Sequence, residues 1–379
     1  MNKFDKAQHV LKQIHADGWL TICNEDSDIH SRYLLGVESH ALHFIFISSD
    51  GKHRILAVEM EKNMIQKSLE KKGIKVDVIS YNSLKDLISK IKPLIDKPRI
   101  ALNFGENVLE PDGTCYADHI HVGDFFSMKK LSPKTEFISA APIIYELRST
   151  KSKEELNDLR NVCKTTIEIL ETIPDWIKIG MTEKEIMAKL EYKYSKLGKP
   201  SFPAIVASGI HSADPHHNSS HKKIEPGVLL IDTGMQIDEM CSDITWTFWV
   251  GKKPSDDFIK AYHALYESKE VANKYYIAEV QNFIPAKKCR EYLDTKGYDH
   301  EKLFFHGLGH SLGFEAHDVG ERISWKVEEH HLLKENMVYT NEPGLYWLNK
   351  WGIRLEDDII IGKDECESVT NVPKDPLLI

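Results

Sequence analysis

Acidic residues interrupt two strand-like hairpins in the last third of this 379-residue chain. The segment VLLIDTGMQIDEMCSDITWTFWV, residues 228–250, predicts two strands with a turn near Ile237 and Asp238. A turn of an even number of residues centred there would place Asp232 directly opposite Asp243. Two like charges that face each other destabilise a strand pair unless a cation lies between them. The pair therefore predicts a cation site, although either aspartate alone could face solvent.

A second hairpin repeats this pattern in YTNEPGLYWLNKWGIRLEDDIII, residues 339–361. An odd-length loop centred on Asn349 would place Glu342 opposite Glu356. Alternatively, Glu356 and the two aspartates that follow it form a charged strand entry.

The acids of the two hairpins, taken together with one histidine, have the composition of a metal site. Four carboxylates with one histidine suit two divalent cations that share oxygen ligands.

A glycine-rich segment, HGLGHSLG at residues 306–313, separates the two hairpins. It lacks the glutamate of a helical zinc motif, and its glycines do not follow the spacing of a nucleotide-binding loop. The glycines predict a backbone packed close to a ligand, with His306 and His310 presented nearby and His317 seven residues beyond. A histidine in such a segment is otherwise a hydrogen-bonded core residue.

Length and charge restrict the class of protein. A chain of 379 residues predicts two domains, or one large domain with an added module. A net charge of -9, with lysine and arginine in both halves, disfavours nucleic acid and anionic membranes as partners.

The N-terminal segment is charged and amphipathic, and no apolar run reaches the roughly 18 residues of a membrane helix. Six dispersed cysteines without CxxC pairs are typical of reduced thiols. We therefore expect a soluble cytoplasmic protein.

The pattern of predicted elements changes near residue 145. Before it, a helix over residues 1–20, a hairpin at SSDG and alternating strands and helices from residue 55 predict an α/β domain. After it, Ser152 and Glu155 form a capping-box pattern that begins a long amphipathic helix. We predict one domain over residues 1–145 and a second over residues 146–379.

The ordered motifs resemble the pita-bread metallopeptidase family, in its Xaa-Pro aminopeptidase and prolidase branch. They are PSFPAIVASG, DPHH, LIDTG eleven residues ahead of CSDIT, HGLGHSLG followed by HDVG, NEPGLY and GIRLEDDI. The first 145 residues, with YLLG at residues 33–36, are more loosely similar to the creatinase-type N-terminal domain. The resemblance implies an α/β N-terminal domain and an α+β pita-bread domain, whose curved antiparallel sheet is covered by helices.

The resemblance also implies a dinuclear centre of two divalent cations. Asp243 and Glu356 would bridge both ions, Asp232 would hold one ion, and His310 with Glu342 would hold the other. An oxygen-rich set with one nitrogen favours manganese or cobalt, and zinc is an alternative. The cations would lower the pKa of a bridging water, and the resulting hydroxide would hydrolyse an Xaa-Pro bond.

Further roles follow from the same resemblance. Glu342 would move a proton between the water and the leaving nitrogen, and His216 would stabilise the oxyanion. His306, His317 and Arg354 would orient the proline end of the substrate or its carboxylate, and Tyr346 also falls on a pocket position. The family gives no role to His217, and we expect His211 and His221 to be solvated loop residues.

Three positions depart from the family pattern: Trp246 stands in place of an arginine, a tyrosine is common near Met240, and Asn341 stands where an apolar residue is usual. These departures put the substrate preference in doubt more than they put the hydrolytic activity in doubt. The expected substrates are proline-containing dipeptides or short peptides, and relatives favour a homodimer. The alternatives are a hydrolase or lyase with another substrate, or an inactive pita-bread domain that binds peptides. Methionine aminopeptidase is disfavoured because that branch generally lacks the N-terminal domain.

Overall fold

The computed structural model describes residues 1–107, 114–327 and 331–379. The chain divides into two compact units, residues 1–147 and residues 148–379. The domain roles that the sequence predicts for these parts stay predictions. In the described ranges, no helix combines the length and the apolar character that a membrane span requires.

The helices in chain order are α1 (Lys3–Gln13), α2 (Ile29–Leu35), α3 (Glu59–Lys71), α4 (Leu84–Ile95), α5 (Val122–Leu131), α6 (Ala141–Arg148), α7 (Lys153–Leu170), α8 (Ile173–Trp176), α9 (Glu183–Tyr194), α10 (Asp256–Asn273), α11 (Ile284–Thr295) and α12 (His300–Leu303). Short 3₁₀ helices lie at Cys115–Ala117 and Gly209–Ala213. The strands are β1 (Gly18–Cys23), β2 (His43–Ser48), β3 (Arg54–Val58), β4 (Asp77–Tyr81), β5 (Arg99–Leu102), β6 (Glu136–Ser139), β7 (Lys199–Pro200), β8 (Ile205–Ser208), β9 (Gly227–Thr233), β10 (Met235–Ile237), β11 (Met240–Cys241), β12 (Ile244–Val250), β13 (Val338–Asn341), β14 (Gly344–Trp347), β15 (Trp351–Arg354), β16 (Asp357–Ile360) and β17 (Glu367–Ser368).

The first unit is built on one mixed sheet in the order β4-β3-β2-β1-β5-β6. The predicted hairpin at SSDG joins β2 to β3, which are antiparallel with Phe46 opposite Arg54. Strands β4, β5 and β6 each join a neighbour in parallel, as expected when helices connect them. Apolar residues of β1, β2, β5 and α4 form a shared core, which includes Leu20, Phe46, Ile91 and Leu102.

The second unit contains antiparallel strands packed against long helices. Strands β8, β9 and β12 form one sheet, β13, β16 and β17 another, and β14 pairs with β15. Helix α7 lies against β10 and β11, and α10 lies against β13, β14 and β15. The predicted capping box at the start of α7 is confirmed, because Ser152 Oγ accepts from Glu155 N and the Glu155 carboxylate accepts from Ser152 N.

Candidate metal centre

The register of the first acidic hairpin differs from the prediction. Strands β9 and β12 pair with Asp232 opposite Thr245, so Asp243 is not directly opposite Asp232. The physical reason is the turn, which contains Asp238 and Glu239 rather than Ile237 and Asp238. Asp238 adopts a left-handed conformation with φ 53°, which aspartate tolerates better than most residues. The two aspartates are thus diagonal neighbours across the hairpin.

The register of the second acidic hairpin is confirmed. Gly344 lies opposite Arg354 in the β14–β15 pair, and Asn341 lies opposite Asp357 in the β13–β16 pair. Both pairs share one register, so Glu342 and Glu356 occupy matching positions between them. Asn349 is at the centre of the turn, with φ 65°.

His310 is oriented by the glycine-rich segment. A Cβ on Gly309 would lie 2.0 Å from the Thr340 carbonyl oxygen, so this position requires glycine. His310 N donates to Thr340 Oγ1 at 3.1 Å, and His310 Nδ1 lies 3.1 Å from the Ser311 carbonyl oxygen. The bond at Nδ1 turns Nε2 toward the acids, 3.5 Å from Asp243 Oδ2 and 3.6 Å from Glu342 Oε1. An imidazole held in this way is the usual form of a metal-ligating histidine.

The five predicted ligands converge on one cavity of about 600 Å³. The residues that line it include Asp232, Asp243, His310, Glu342 and Glu356. Asp243, His310 and Glu356 each offer a ligand atom within 4.8 Å of the other two. The structure therefore brings together residues that are up to 124 positions apart in the sequence.

The electrostatics of this cluster fit divalent cations. Burial, together with neighbouring acids, raises the pKa of Asp243 and of Glu356, and burial raises the pKa of Glu342 to about 7. Burial lowers the pKa of His310 to about 3, which leaves its ring neutral and able to coordinate. In the described part of the chain, Asp232 Oδ1 is buried and has no hydrogen-bond partner. Such a concentration of buried carboxylates is stable as anions only beside positive charge.

Arg354 supplies part of that positive charge. Its Nη2 donates to Asp232 Oδ2, and its Nη1 donates to Tyr346 Oη at 3.2 Å and to the Pro215 carbonyl oxygen at 3.3 Å. The Arg354 side chain is only 4% exposed. Arg354 thus connects one predicted ligand to the predicted substrate residue Tyr346.

The other predicted site residues lie around the same cavity. His216, His306, His317 and Arg354 line it. His306 Nε2 is 3.0 Å from Tyr346 Oη, and the His317 ring centroid is 4.1 Å from that of His310. Tyr346 reaches the site through its hydroxyl contacts with His306 and Arg354.

An ion-pair cluster fixes the segment that carries His317. Asp318 Oδ1 accepts from Arg148 Nε at 2.9 Å, and Asp318 Oδ2 lies 3.1 Å from Lys151 Nζ. Asp318 Oδ2 also accepts from Phe314 N at 2.9 Å. The Arg148 and Asp318 side chains are each 1% exposed. The cluster therefore anchors both ends of the short segment between Phe314 and Asp318.

Sequence reasoning missed the residues that support the ligands. Thr245 Oγ1 donates to Glu356 Oε2 at 2.6 Å, Thr340 Oγ1 donates to Glu342 Oε1 at 3.3 Å, and Asp358 Oδ2 accepts from Asp243 N at 3.2 Å. A signal for Thr245 and Thr340 was available in the sequence, because each is two positions from a predicted ligand and residues at that spacing point the same way in an extended chain.

Two loop histidines correct a further expectation. His211 is not a solvated loop residue, because its Nδ1 lies 2.9 Å from Glu183 Oε1. His217, for which no role was predicted, has Nε2 2.9 Å from Glu183 Oε2. His221 is exposed, as expected.

Residues 157–363 match the family model described as Metallopeptidase family M24. The match spans more than half of the chain. The chain belongs to metallopeptidase family M24. An M24 enzyme is metal-dependent, and the acidic cavity brings together residues that can hold a metal ion.

Relatives and solved structures of M24 enzymes agree with this assignment. An uncharacterized peptidase of Methanocaldococcus jannaschii is 35% identical over 237 residues, which are 60% of this chain and 65% of that protein. A Xaa-Pro dipeptidase of Pyrococcus furiosus is 34% identical over 260 residues, which are 66% of this chain and 71% of that protein. The crystal structure of an X-Pro aminopeptidase of Thermotoga maritima is similar with a TM-score of 0.85 and 28% identity, over 98% of this chain and 100% of that one. The expected pita-bread fold with its two-domain architecture is confirmed.

The three residues that are expected to depart from the family pattern do not line the cavity. Trp246 is next to Thr245 on β12, so alternation points its side chain to the opposite face. Asn341 Nδ2 donates to the Lys269 carbonyl oxygen at 3.1 Å, and Met240 is buried in the turn region. Among the described residues, none of the three lines the cavity.

Proposed function

We propose that this M24 enzyme hydrolyses the Xaa-Pro bond of dipeptides or short peptides with two divalent cations. The observation that carries the proposal is the convergence of five ligand-type side chains with His306, His317 and Arg354 in one cavity. The similarity to a Xaa-Pro dipeptidase and to an X-Pro aminopeptidase supports the substrate class.

The proposed ligands are those that the resemblance implies. Asp243 and Glu356 would be shared by the two ions, Asp232 would hold one, and His310 with Glu342 would hold the other. Their oxygen-rich donor set favours manganese. When bound, the cations activate a water for attack and polarise the scissile carbonyl.

Glu342 is the proposed proton carrier. Its carboxylate lines the cavity together with the other proposed ligands, where it can accept a proton from the attacking water and donate it to the leaving group. It takes a proton from the attacking water as the oxygen bonds to the carbonyl carbon. When the carbon–nitrogen bond breaks, the proline nitrogen has no hydrogen of its own, and Glu342 returns the proton to it.

The remaining polar side chains bind and orient the substrate. His216 stabilises the carbonyl oxygen as negative charge develops on it. His306 and Tyr346 are hydrogen-bonded to each other, and Arg354 holds the tyrosine hydroxyl from the other side. This arrangement presents preorganised polar groups, with His317, to the proline end of the substrate.

The test is release of free leucine from Leu-Pro and from the longer peptide Leu-Pro-Gly, with Leu-Ala as the control, with and without added Mn²⁺. We expect cleavage of Xaa-Pro substrates that requires the added ion, and little cleavage of Leu-Ala. Cleavage of the dipeptide alone identifies a dipeptidase, and removal of leucine from the longer peptide identifies an aminopeptidase. Failure to cleave either one with metal bound would overturn the proposal.

We also propose a cytoplasmic homodimer. The resemblance to the family supports the dimer, and six free thiols fit a reducing compartment. Light scattering during size-exclusion chromatography should give twice the 43.5 kDa mass of the chain; a monomer mass at assay concentration would contradict the dimer.

A further inference from the structure

A second cluster of ligand-type side chains lies outside the five-residue acidic cluster. Glu183 is the first residue of α9, His211 lies in the 3₁₀ helix Gly209–Ala213, and His217 lies in the loop that follows it. Each of the three offers a ligand atom within 4.8 Å of the other two.

The two histidines face the same carboxylate. His211 Nδ1 is 2.9 Å from Glu183 Oε1 and 3.2 Å from Oε2, and His217 Nε2 is 2.9 Å from Oε2. The imidazole centroids are 4.2 Å apart, with the ring planes tilted by 32°. Two imidazole nitrogens therefore lie within hydrogen-bond distance of one carboxylate.

These distances are close to those of a metal site. Zinc binds histidine nitrogen and carboxylate oxygen at about 2.0 to 2.2 Å, and two histidines with one glutamate are a known zinc ligand set. Ligand atoms at that range around one tetrahedral ion are about 3.3 Å apart, so each 2.9 Å nitrogen–oxygen distance would lengthen by a few tenths of an ångström when the ion binds.

The surroundings of Glu183 resemble those of a metal ligand. Its side chain is 0% exposed, and it accepts from Ser208 Oγ at 2.8 Å and from Ser220 Oγ at 2.6 Å. Backbone N–H groups of Ser208 and Ser220 donate to the same carboxylate. Such bonds fix a ligand's orientation. The His211 and His217 side chains are 30% and 13% exposed, so an ion can reach the cluster from solvent.

We propose that Glu183, His211 and His217 bind one zinc ion at a site separate from the acidic cluster. Each imidazole then turns a lone pair toward the ion and carries its proton on the other ring nitrogen. Two nitrogens and one carboxylate select zinc, whereas the oxygen-rich acidic cluster favours manganese. The existence of this site does not rest on the proposed function.

Zinc at this site would fix the loop that enters the acidic cavity. His216, which lines the cavity, is the neighbour of His217 in the sequence. The Pro215 carbonyl oxygen accepts from Arg354 Nη1. The ion would therefore tie the His216 loop to α9.

The test counts zinc in the full chain by mass spectrometry, after chelation, loading with Zn²⁺ alone and desalting. The variant is the double substitution His211→Asn and His217→Gln, because these amides place an N–H near the original nitrogen and keep the bonds to Glu183. We expect this variant to bind one zinc ion fewer per chain than the wild type. The control is His221→Gln, which changes an exposed histidine of the same loop and should leave the count unchanged.

An equal zinc count in the double variant and the wild type would overturn the proposal. Anomalous diffraction from crystals of the wild type grown with Zn²⁺ gives a second measurement that requires no variant. A zinc peak bonded to His211 Nδ1 and His217 Nε2 is expected, and no peak there would overturn the proposal. Asp243→Asn measures the acidic cluster separately, so failure of one site is distinguishable from failure of the other.

Discussion

The Thr245 hydroxyl donates a hydrogen bond to Glu356 Oε2 at 2.6 Å, although the two residues are 111 positions apart. Backbone pairing sets up this contact, because Glu356 N donates to the Thr245 carbonyl oxygen at 3.0 Å. The same hydroxyl accepts from Arg354 Nε at 3.1 Å. One threonine thus orients a proposed bridging ligand and a proposed substrate residue.

Removal of this hydroxyl should weaken metal binding. Thr245→Val keeps the side-chain shape and leaves Glu356 Oε2 without its donor, so we expect a loss of metal affinity of about 10- to 100-fold. Titration of the apo chain with Mn²⁺ while proline release is followed measures that loss. Thr245→Ser restores the hydroxyl and should recover most of the affinity; equal affinities for the valine variant and the wild type would show that the bond has no such role.

Two glycines of the same segment should differ in their tolerance of alanine. A Cβ at Gly309 would lie 2.0 Å from the Thr340 carbonyl oxygen, whereas a Cβ at Gly307 would lie 3.3 Å from the Ile323 carbonyl oxygen. Gly309→Ala must push β13 away from His310, so we expect a loss of proline release of at least about 100-fold. Gly307→Ala is the matched control and should keep most of the activity. Similar activities for the two variants would contradict the claim that the close approach of Gly309 to Thr340 positions His310.

The ion pairs of Asp318 should make stability depend on pH. Burial alone would raise the pKa of Asp318, but the charges of Arg148 and Lys151 lower it below the ordinary value. A lowered pKa stabilises the folded state above the unfolded pKa of about 3.9, and this stabilisation is lost as the pH falls toward the folded value. At pH 7 we expect Asp318→Asn to lower the free energy of unfolding by about 3 kcal/mol.

Thermal unfolding of both proteins between pH 7 and pH 3.5 measures this effect. The stability difference between the wild type and Asp318→Asn should shrink below about pH 4. Asp364→Asn removes an exposed carboxylate and should have little effect at any pH in this range. A difference that stays constant to pH 3.5 would rule out the ion pairs as its source.

Local sequence patterns, such as turn length and the alternation of apolar residues, predicted only part of this structure. The odd-length turn at Asn349 was sufficient to predict the register of Glu342 and Glu356, because the loop length fixes the partners. The same reasoning failed for Asp232 and Asp243, since the left-handed Asp238 moves the turn by one residue. The hairpin prediction depended on one φ angle that the pattern of apolar residues does not specify.

Contacts between segments that are far apart along the chain could not be predicted from the sequence. The bond from Arg354 to Asp232 joins residues 122 positions apart, and Glu183 meets His211 and His217 through the packing of α9 on its neighbouring loop. A polar loop such as IHSADPHHNSSHKK is ordinarily solvated, which is why His211 was assigned to solvent. Only the folded chain shows that a buried glutamate lies beside that loop.

The most direct test of the dinuclear account measures bound Mn²⁺ and proline release together in the wild type and in Asp243→Asn. Asparagine has nearly the same shape as aspartate but lacks the negative charge that a bridging ligand provides. The account predicts two manganese ions per wild-type chain, at least one fewer in Asp243→Asn, and a loss of proline release of about 1,000-fold or more. Retention of two ions with full activity in Asp243→Asn would contradict it.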